Sequence, residues 1–170
     1  DPVESGAVVQ VIGSVFAVLL ALALLVAGHG LQLTVLPLLA AAQGLGPVAN
    51  AASGSAYFSG FLIGCLAAPL VIRRAGHIRA FSTFNGLLAV ALLALSQIAG
   101  LPALIVLRAL AGFAISGMYT IVESWISERA TPATRGQLFA AYTIISLLML
   151  TAGQWLVVLP LEHAQLLVLA

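Results

Sequence analysis

The stretch at residues 15–39, VFAVLLALALLVAGHGLQLTVLPLL, decides what kind of protein this is. A helix of about 20 apolar residues is enough to cross a bilayer. The quoted stretch is longer than that, and it is only part of a run from Ser5 to Ile72 that contains no Asp, Glu, Lys or Arg. Of the 170 residues, 62% are hydrophobic and 6% charged, against roughly 25% charged in a soluble domain. The chain therefore belongs in the lipid bilayer, with several spans. Its net charge of +1 gives no basic field for phosphates, which excludes nucleic-acid binding. The lone Cys65 can close no internal disulfide and forms no thiolate cluster, so structural zinc is excluded and the residue reads as a small buried apolar side chain.

Charged side chains are costly at the bilayer centre and collect at helix ends, so their positions divide the chain. The division predicts an all-α polytopic bundle with spans at about 8–40, 57–72, 80–98, 102–126 and 135–159, and the start of a sixth at 164–170 after a turn at Leu161 to His163. Gly28, Gly30 and Pro37 predict a kink or local unwinding in the first span. Gln43 to Ser55, rich in Gly, Pro, Asn and Ser, reads as a loop, as does Ser127 to Arg135. Thr134 and Gln137 read as a capping box opening the fifth helix. The chain opens on Asp1 without a basic leader, and its last apolar run stops at Ala170, short of a span. It reads as one part of a longer polypeptide, with a C-terminal half absent.

Arg73, Arg74, Arg79, Arg129 and Arg135 all fall in the 2–3 and 4–5 connections, and the other connections carry no basic residue. By the positive-inside rule the arginine connections are cytoplasmic and so is the amino terminus. Trp125 and Trp155 then fall near opposite membrane faces. Small residues mark where backbones touch inside lipid. Gly60, Gly64 and Ala68 form such a stripe on the second helix, and Ala109, Gly112 and Ser116 form one on the fourth. The third helix, with only Asn85, Ser96 and Gln97 strongly polar, reads as peripheral.

Arg73-Arg74-Ala75-Gly76-His77-Ile78-Arg79, Arg108-Ala109-Leu110-Ala111-Gly112 and Arg135-Gly136, on successive helices, resemble the amino-terminal half of a major facilitator superfamily transporter. The chain departs from that family's loop signature at two places, with Arg73 where an Asp is usual and Pro69 where the leading Gly is usual. Gly28-His29-Gly30-Leu31, Ser55-Ala56-Tyr57-Phe58-Ser59-Gly60-Phe61 and Val122-Glu123-Ser124-Trp125 with Arg129-Ala130-Thr131 resemble its YcaD-like bacterial branch. The resemblance implies a twelve-helix carrier in the bacterial cytoplasmic (inner) membrane, with inverted three-helix repeats around a site near the midplane and access that alternates by rocking of the halves. It implies no cofactor and no metal. The implied partners are a small-molecule substrate, the lipid bilayer and the C-terminal half of the same transporter.

Arg108 is the sharpest candidate, because an arginine inside a span must face protein or water. Gly112, Ile115 and Tyr119 share its helical face and are expected to line a cavity with it. His29, between two glycines, could bind substrate or carry a proton, and Gln32 offers an amide to the same space. Thr34 reads as bonding back to its own helix. Tyr142, Ser146, Met149 and Gly153 share one face of the fifth helix, either cavity wall or contact with the partner half. At the cytoplasmic end, Arg73, Arg74, Gly76, Arg79, Arg129 and Arg135 are candidate gate residues, with Glu123 as the acid that substitutes for the missing Asp. His77 reads as a solvated or headgroup-facing residue.

The fifth helix lacks the Gly-x-x-x-Gly-Pro pattern of the superfamily's antiporters, which disfavours drug–proton antiport. Ser116-Gly117 and His29 are the only parts for a nucleophile and base, and no motif surrounds them, so an enzyme is not expected. The expected function is secondary active transport of a small molecule, with Arg108 favouring an anionic one by charge complementarity. The alternative is a non-transporting membrane scaffold or assembly factor with the same fold.

Overall fold

A computed structural model describes residues 2–97 and 100–158, with side chains described from Leu19 onward. Along the chain run α1 (Pro2–Ala42), α2 (Pro47–Ala75), α3 (His77–Gln97), α4 (Leu101–Arg129) and α5 (Arg135–Trp155), followed by a 3-10 turn at Leu156–Val158. Five stretches, from Leu19–Ala42 of α1 to Arg135–Val158, are long and apolar enough to cross a membrane, with mean hydropathies of 1.7 to 2.0. The outer surface is apolar to match: Leu66 is 71% exposed, Phe58 69% and Val106 64%. Such a surface suits hydrocarbon as its solvent. The expected sixth segment at 164–170 and the turn at Leu161 to His163 lie outside the described residues, as do Ile98 and Ala99.

Several boundaries of α1, α2 and α4 differ from the sequence expectation, toward more helix, whereas α5, expected to run to 159, gives way to the 3-10 turn after Trp155. Inside a bilayer no water is at hand to bond the backbone, so helix persists wherever the chain lies in the membrane. The loop expected from Gln43 to Ser55 shrinks to 43–46, and α2 already begins at Pro47, whose missing N–H costs nothing at a first helical position. In α1 the glycines and Pro37 cause no unwinding, since the helix is continuous from Pro2 to Ala42. The 4–5 connection is also shorter than expected, because α4 runs on to Arg129. Thr134 does precede α5, but no capping box forms: its hydroxyl turns back to Thr131 instead, 2.9 Å from Oγ1. The 2–3 connection is Gly76 alone, at φ +78°, a left-handed conformation that glycine adopts without a Cβ clash. Arg73 and Arg74 therefore sit in the last turn of α2, and His77 opens α3.

Two helix pairs carry the bundle, α2 with α4 and α1 with α5. Both are built the same way. On α2 the space where a Cβ of Gly60 would lie is taken by the Ala109 carbonyl of α4, and the Cβ space of Gly112 is taken by the Tyr57 carbonyl of α2. On the other pair, Gly30 faces the Leu150 carbonyl and Gly153 faces the Ala27 carbonyl. Each helix thus offers a glycine and, three residues earlier, the carbonyl that fills its partner's glycine. The Ala-x-x-Gly shared by Ala27–Gly30 and Ala109–Gly112 maps α1 onto α4 and, with it, α5 onto α2. The arrangement also confirms the two small-residue stripes as packing faces, because Gly64 meets Phe113 and Ser116 of α4. Outside these pairs α3 lies against α4 and, less, α2, burying Ala80, Phe84, Leu88, Ala91, Leu92 and Leu95 while Asn85 faces outward.

Candidate functional site

Between the two pairs lies a buried polar cluster. Gln32 is fully buried on α1, and its Oε1 is 3.4 Å from Nδ1 of His29, one turn before it. An amide oxygen can only accept, so with this orientation the proton sits on Nδ1. The other ring nitrogen, Nε2, then accepts from the Tyr57 hydroxyl of α2 at 3.2 Å. The two rings lie nearly parallel at 15°, and the edge of Tyr119 on α4 approaches His29 with centroids 6.5 Å apart. The guanidinium of Arg108 sits over the Tyr57 ring, its Cζ 4.5 Å from the ring centroid. Such a cation–π contact strengthens where the cation is desolvated, and Arg108 is only 8% exposed.

What this cluster lacks is acceptors. Nε and Nη1 of Arg108 and Nε2 of Gln32 are buried with no hydrogen-bond partner. Among the described residues no carboxylate forms an ion pair with Arg108. A buried donor without a partner costs about 1–3 kcal/mol, and more when it is charged. The cluster is thus a positively charged group of donors beside tyrosine rings, with a chemistry that complements acceptor oxygens and a negative charge.

His29, Gln32, Arg108 and Tyr119 are therefore brought together. Gly112 was expected to line a cavity, but α2 backbone fills the space beside it. Thr34 does bond back to the Gly30 carbonyl at 3.4 Å. On the α5 face, Tyr142 packs with Val122 and Ile126 of α4, and Gly153 closes on α1. Ser146 keeps a buried hydroxyl without a partner.

The arginine end is a separate region. The Tyr142 hydroxyl donates to Oε1 of Glu123 at 2.8 Å. Arg135 donates to Ser127 Oγ at 3.0 Å, and Arg129 stacks on Trp125 with Cζ 4.2 Å from the ring. Arg73, Arg74 and Arg79 are exposed. His77 is not simply solvated, since its Nε2 lies 3.1 Å from Ser124 Oγ and 3.5 Å from Glu128.

Tyr57 is the site residue that the sequence reading missed. The sequence reading begins the second helix at Tyr57 and gives it no place among the site residues. With α2 starting at Pro47, Ser53, Tyr57, Gly60, Gly64 and Ala68 form one buried stripe, and a single tyrosine in a row of small residues was the available signal.

The family described as "Sugar (and other) transporter" matches residues 45–159. An uncharacterised MFS-type transporter of Yersinia enterocolitica is 35% identical over 102 residues, covering 60% of this chain and 27% of the relative. The uncharacterised MFS-type transporter YcaD of Escherichia coli is 31% identical over 103 residues, covering 61% of this chain and again 27% of the relative. No solved structure gives a significant match.

Proposed function

The chain belongs to the sugar (and other) transporter family of the major facilitator superfamily, and from that premise we propose that it supplies one half of a secondary active transporter whose substrate is a small anion. Access alternates between the two sides of a bacterial cytoplasmic membrane, with the arginine-rich helix ends and the amino terminus inside. The single observation that carries the reading is the set of unpartnered buried donors on Arg108 and Gln32 around the His29–Tyr57 hydrogen bond. A carboxylate satisfies them; a neutral sugar brings no charge to meet the guanidinium. Tyr57 holds Arg108 in place by its ring and His29 by its hydroxyl, so it positions both groups.

At the arginine end, Glu123, held by Tyr142, together with Arg73, Arg74, Arg79, Arg129 and Arg135, forms the cytoplasmic gate, with Gly76 as its joint. A second helical half completes the path. The test is uptake into proteoliposomes of the full-length carrier with labelled aliphatic and aromatic monocarboxylates beside neutral hexoses. Saturable uptake of a carboxylate that falls at least about 10-fold in Arg108→Ala, at unchanged protein abundance, is the expected result, since a lost charge-assisted bond is worth 1.5–3 kcal/mol. Uptake of a hexose that survives Arg108→Ala would sink the reading, and a folded carrier inert to both would favour a scaffold.

A further inference from the structure

The buried cluster holds its protons in a definite order. His29 gives its Nδ1 proton to Gln32 Oε1 at 3.4 Å and receives the Tyr57 hydroxyl at Nε2 at 3.2 Å, so the neutral ring uses both nitrogens. A proton added at Nε2 makes both nitrogens donors. The Tyr57 oxygen must then accept from Nε2, and the phenol hydrogen has to turn to another acceptor. The unpartnered buried atoms of the cluster, Gln32 Nε2 and Arg108 Nε and Nη1, are all donors, so none of them takes it.

Charge points the same way. The charged and titratable groups around His29 are Tyr57 from α2, with Arg108 of α4 over its ring, and Tyr119 from α4, while α5 closes on α1 with its backbone at Gly30. The two carboxylates among the described residues are engaged at the arginine end, Glu123 with Tyr142 and Glu128 with His77. An imidazolium near the Arg108 guanidinium is therefore a second buried cation with no anion to meet it, where low dielectric makes like charges repel strongly. A carboxylate answers both needs, because it brings the missing acceptor and the missing charge.

We propose that His29 takes up a proton when the anion binds, and that Tyr57 turns its hydroxyl hydrogen from His29 Nε2 to the anion, so that each anion crosses the membrane with a proton. The inference rests on the anion reading of the same cluster. The proton comes from the water through which the anion arrives, sits on Nε2 while the site is occupied, and returns to water on the far side when the anion leaves. Empty, the site carries the charge of Arg108; loaded, the imidazolium and the anion cancel and the same charge remains. Neither form takes extra charge through the bilayer, and anion and proton each tighten the other's binding by reciprocity. Calorimetry on the full-length carrier in nanodiscs reads this directly. The probes are sodium benzoate and sodium lactate, which stay ionised from about pH 6 to about pH 8. Titrations in two buffers of different ionisation enthalpy should show about one proton taken up per anion bound, and affinity should fall by up to roughly tenfold for each unit rise in pH. His29→Gln offers Tyr57 an amide oxygen in place of Nε2 and holds no proton, so the proton uptake and the slope should both vanish. His77→Gln, at the arginine end, should leave both as they are. If His29→Gln fails to fold, the proton count in the unaltered carrier decides by itself. Binding of either carboxylate without proton uptake, or uptake that persists in His29→Gln, would overturn the coupling and leave the anion site standing. Binding of neither probe would bring down both readings.

Discussion

The α1–α5 and α2–α4 pairs share one backbone design and carry different chemistry. In both, a glycine on each helix receives the carbonyl three residues before the partner's glycine. Aligning Ala27 and Gly30 with Ala109 and Gly112 sets Val26 opposite Arg108, and aligning Leu150 and Gly153 with Tyr57 and Gly60 sets Leu150 opposite Tyr57. Val26 and Leu150 belong to an apolar cluster with Leu22 and Val122. Where one pair has an aliphatic contact, the other has a guanidinium on a phenol ring. The scaffold is repeated, and one copy carries the cation–π pair on which the proposed function rests.

The comparison breaks most severely at the shared design. Gly112→Val and Gly153→Val each drive a side chain into the partner's backbone, which cannot yield as a flexible side chain could. Each should lower stability by about 1–3 kcal/mol or more, seen as loss of monodisperse protein in fluorescence-detected size exclusion. Equal damage from both supports the equivalence of the pairs; tolerance of one would end it. The next test converts one pair into the other. Arg108→Val with Tyr57→Leu gives the α2–α4 pair the side chains of its counterpart, and removing a buried charge for apolar groups is often neutral or stabilising. The double variant should therefore fold and melt no lower than the parent, yet carry no substrate.

Smaller effects sharpen the picture. Tyr57→Phe keeps the ring beneath Arg108 and removes only the bond to His29, for a cost of about 1 kcal/mol in thermal unfolding. If its flux falls as far as that of the double variant, the His29 bond rather than the cation–π contact holds the site. Tyr142→Phe removes a bond to the exposed Glu123 at the arginine end and should change stability by about 0.5–1 kcal/mol, leaving substrate affinity at the buried cluster unchanged in an equilibrium binding titration.

Much of this was legible without coordinates, because lipid simplifies the reading. Charge positions separated the five helices, and the spacing of Gly60, Gly64 and Ala68 against Ala109, Gly112 and Ser116 identified two faces that do pack together. Arg108, His29 and Gln32 stood out because polar groups are rare in such segments. The loop reading of Gln43 to Ser55 failed because Asn and Ser weaken a helix in water by competing for its backbone, and Gly by its conformational freedom, effects that count for little where the helix is the only way to satisfy every N–H. That error hid Tyr57 at an apparent helix start. The face of Gly112 was read correctly as buried, but sequence alone does not tell a wall from a contact, since both ask for a small residue.

The glycine contacts also set an order of assembly. The α2–α4 pair joins helices separated by α3 alone, whereas Ala27 and Gly153 lie almost at opposite ends of the described helices. During synthesis α1 enters the membrane before α5, and its glycine face waits until α5 emerges. In that interval His29 gains a second partner beside Gln32 of its own helix, because the Tyr57 hydroxyl arrives on the next helix. The hydrogen bond at the centre of the buried cluster is thus also the earliest contact between helices that shelters a polar side chain from lipid while the bundle is still incomplete.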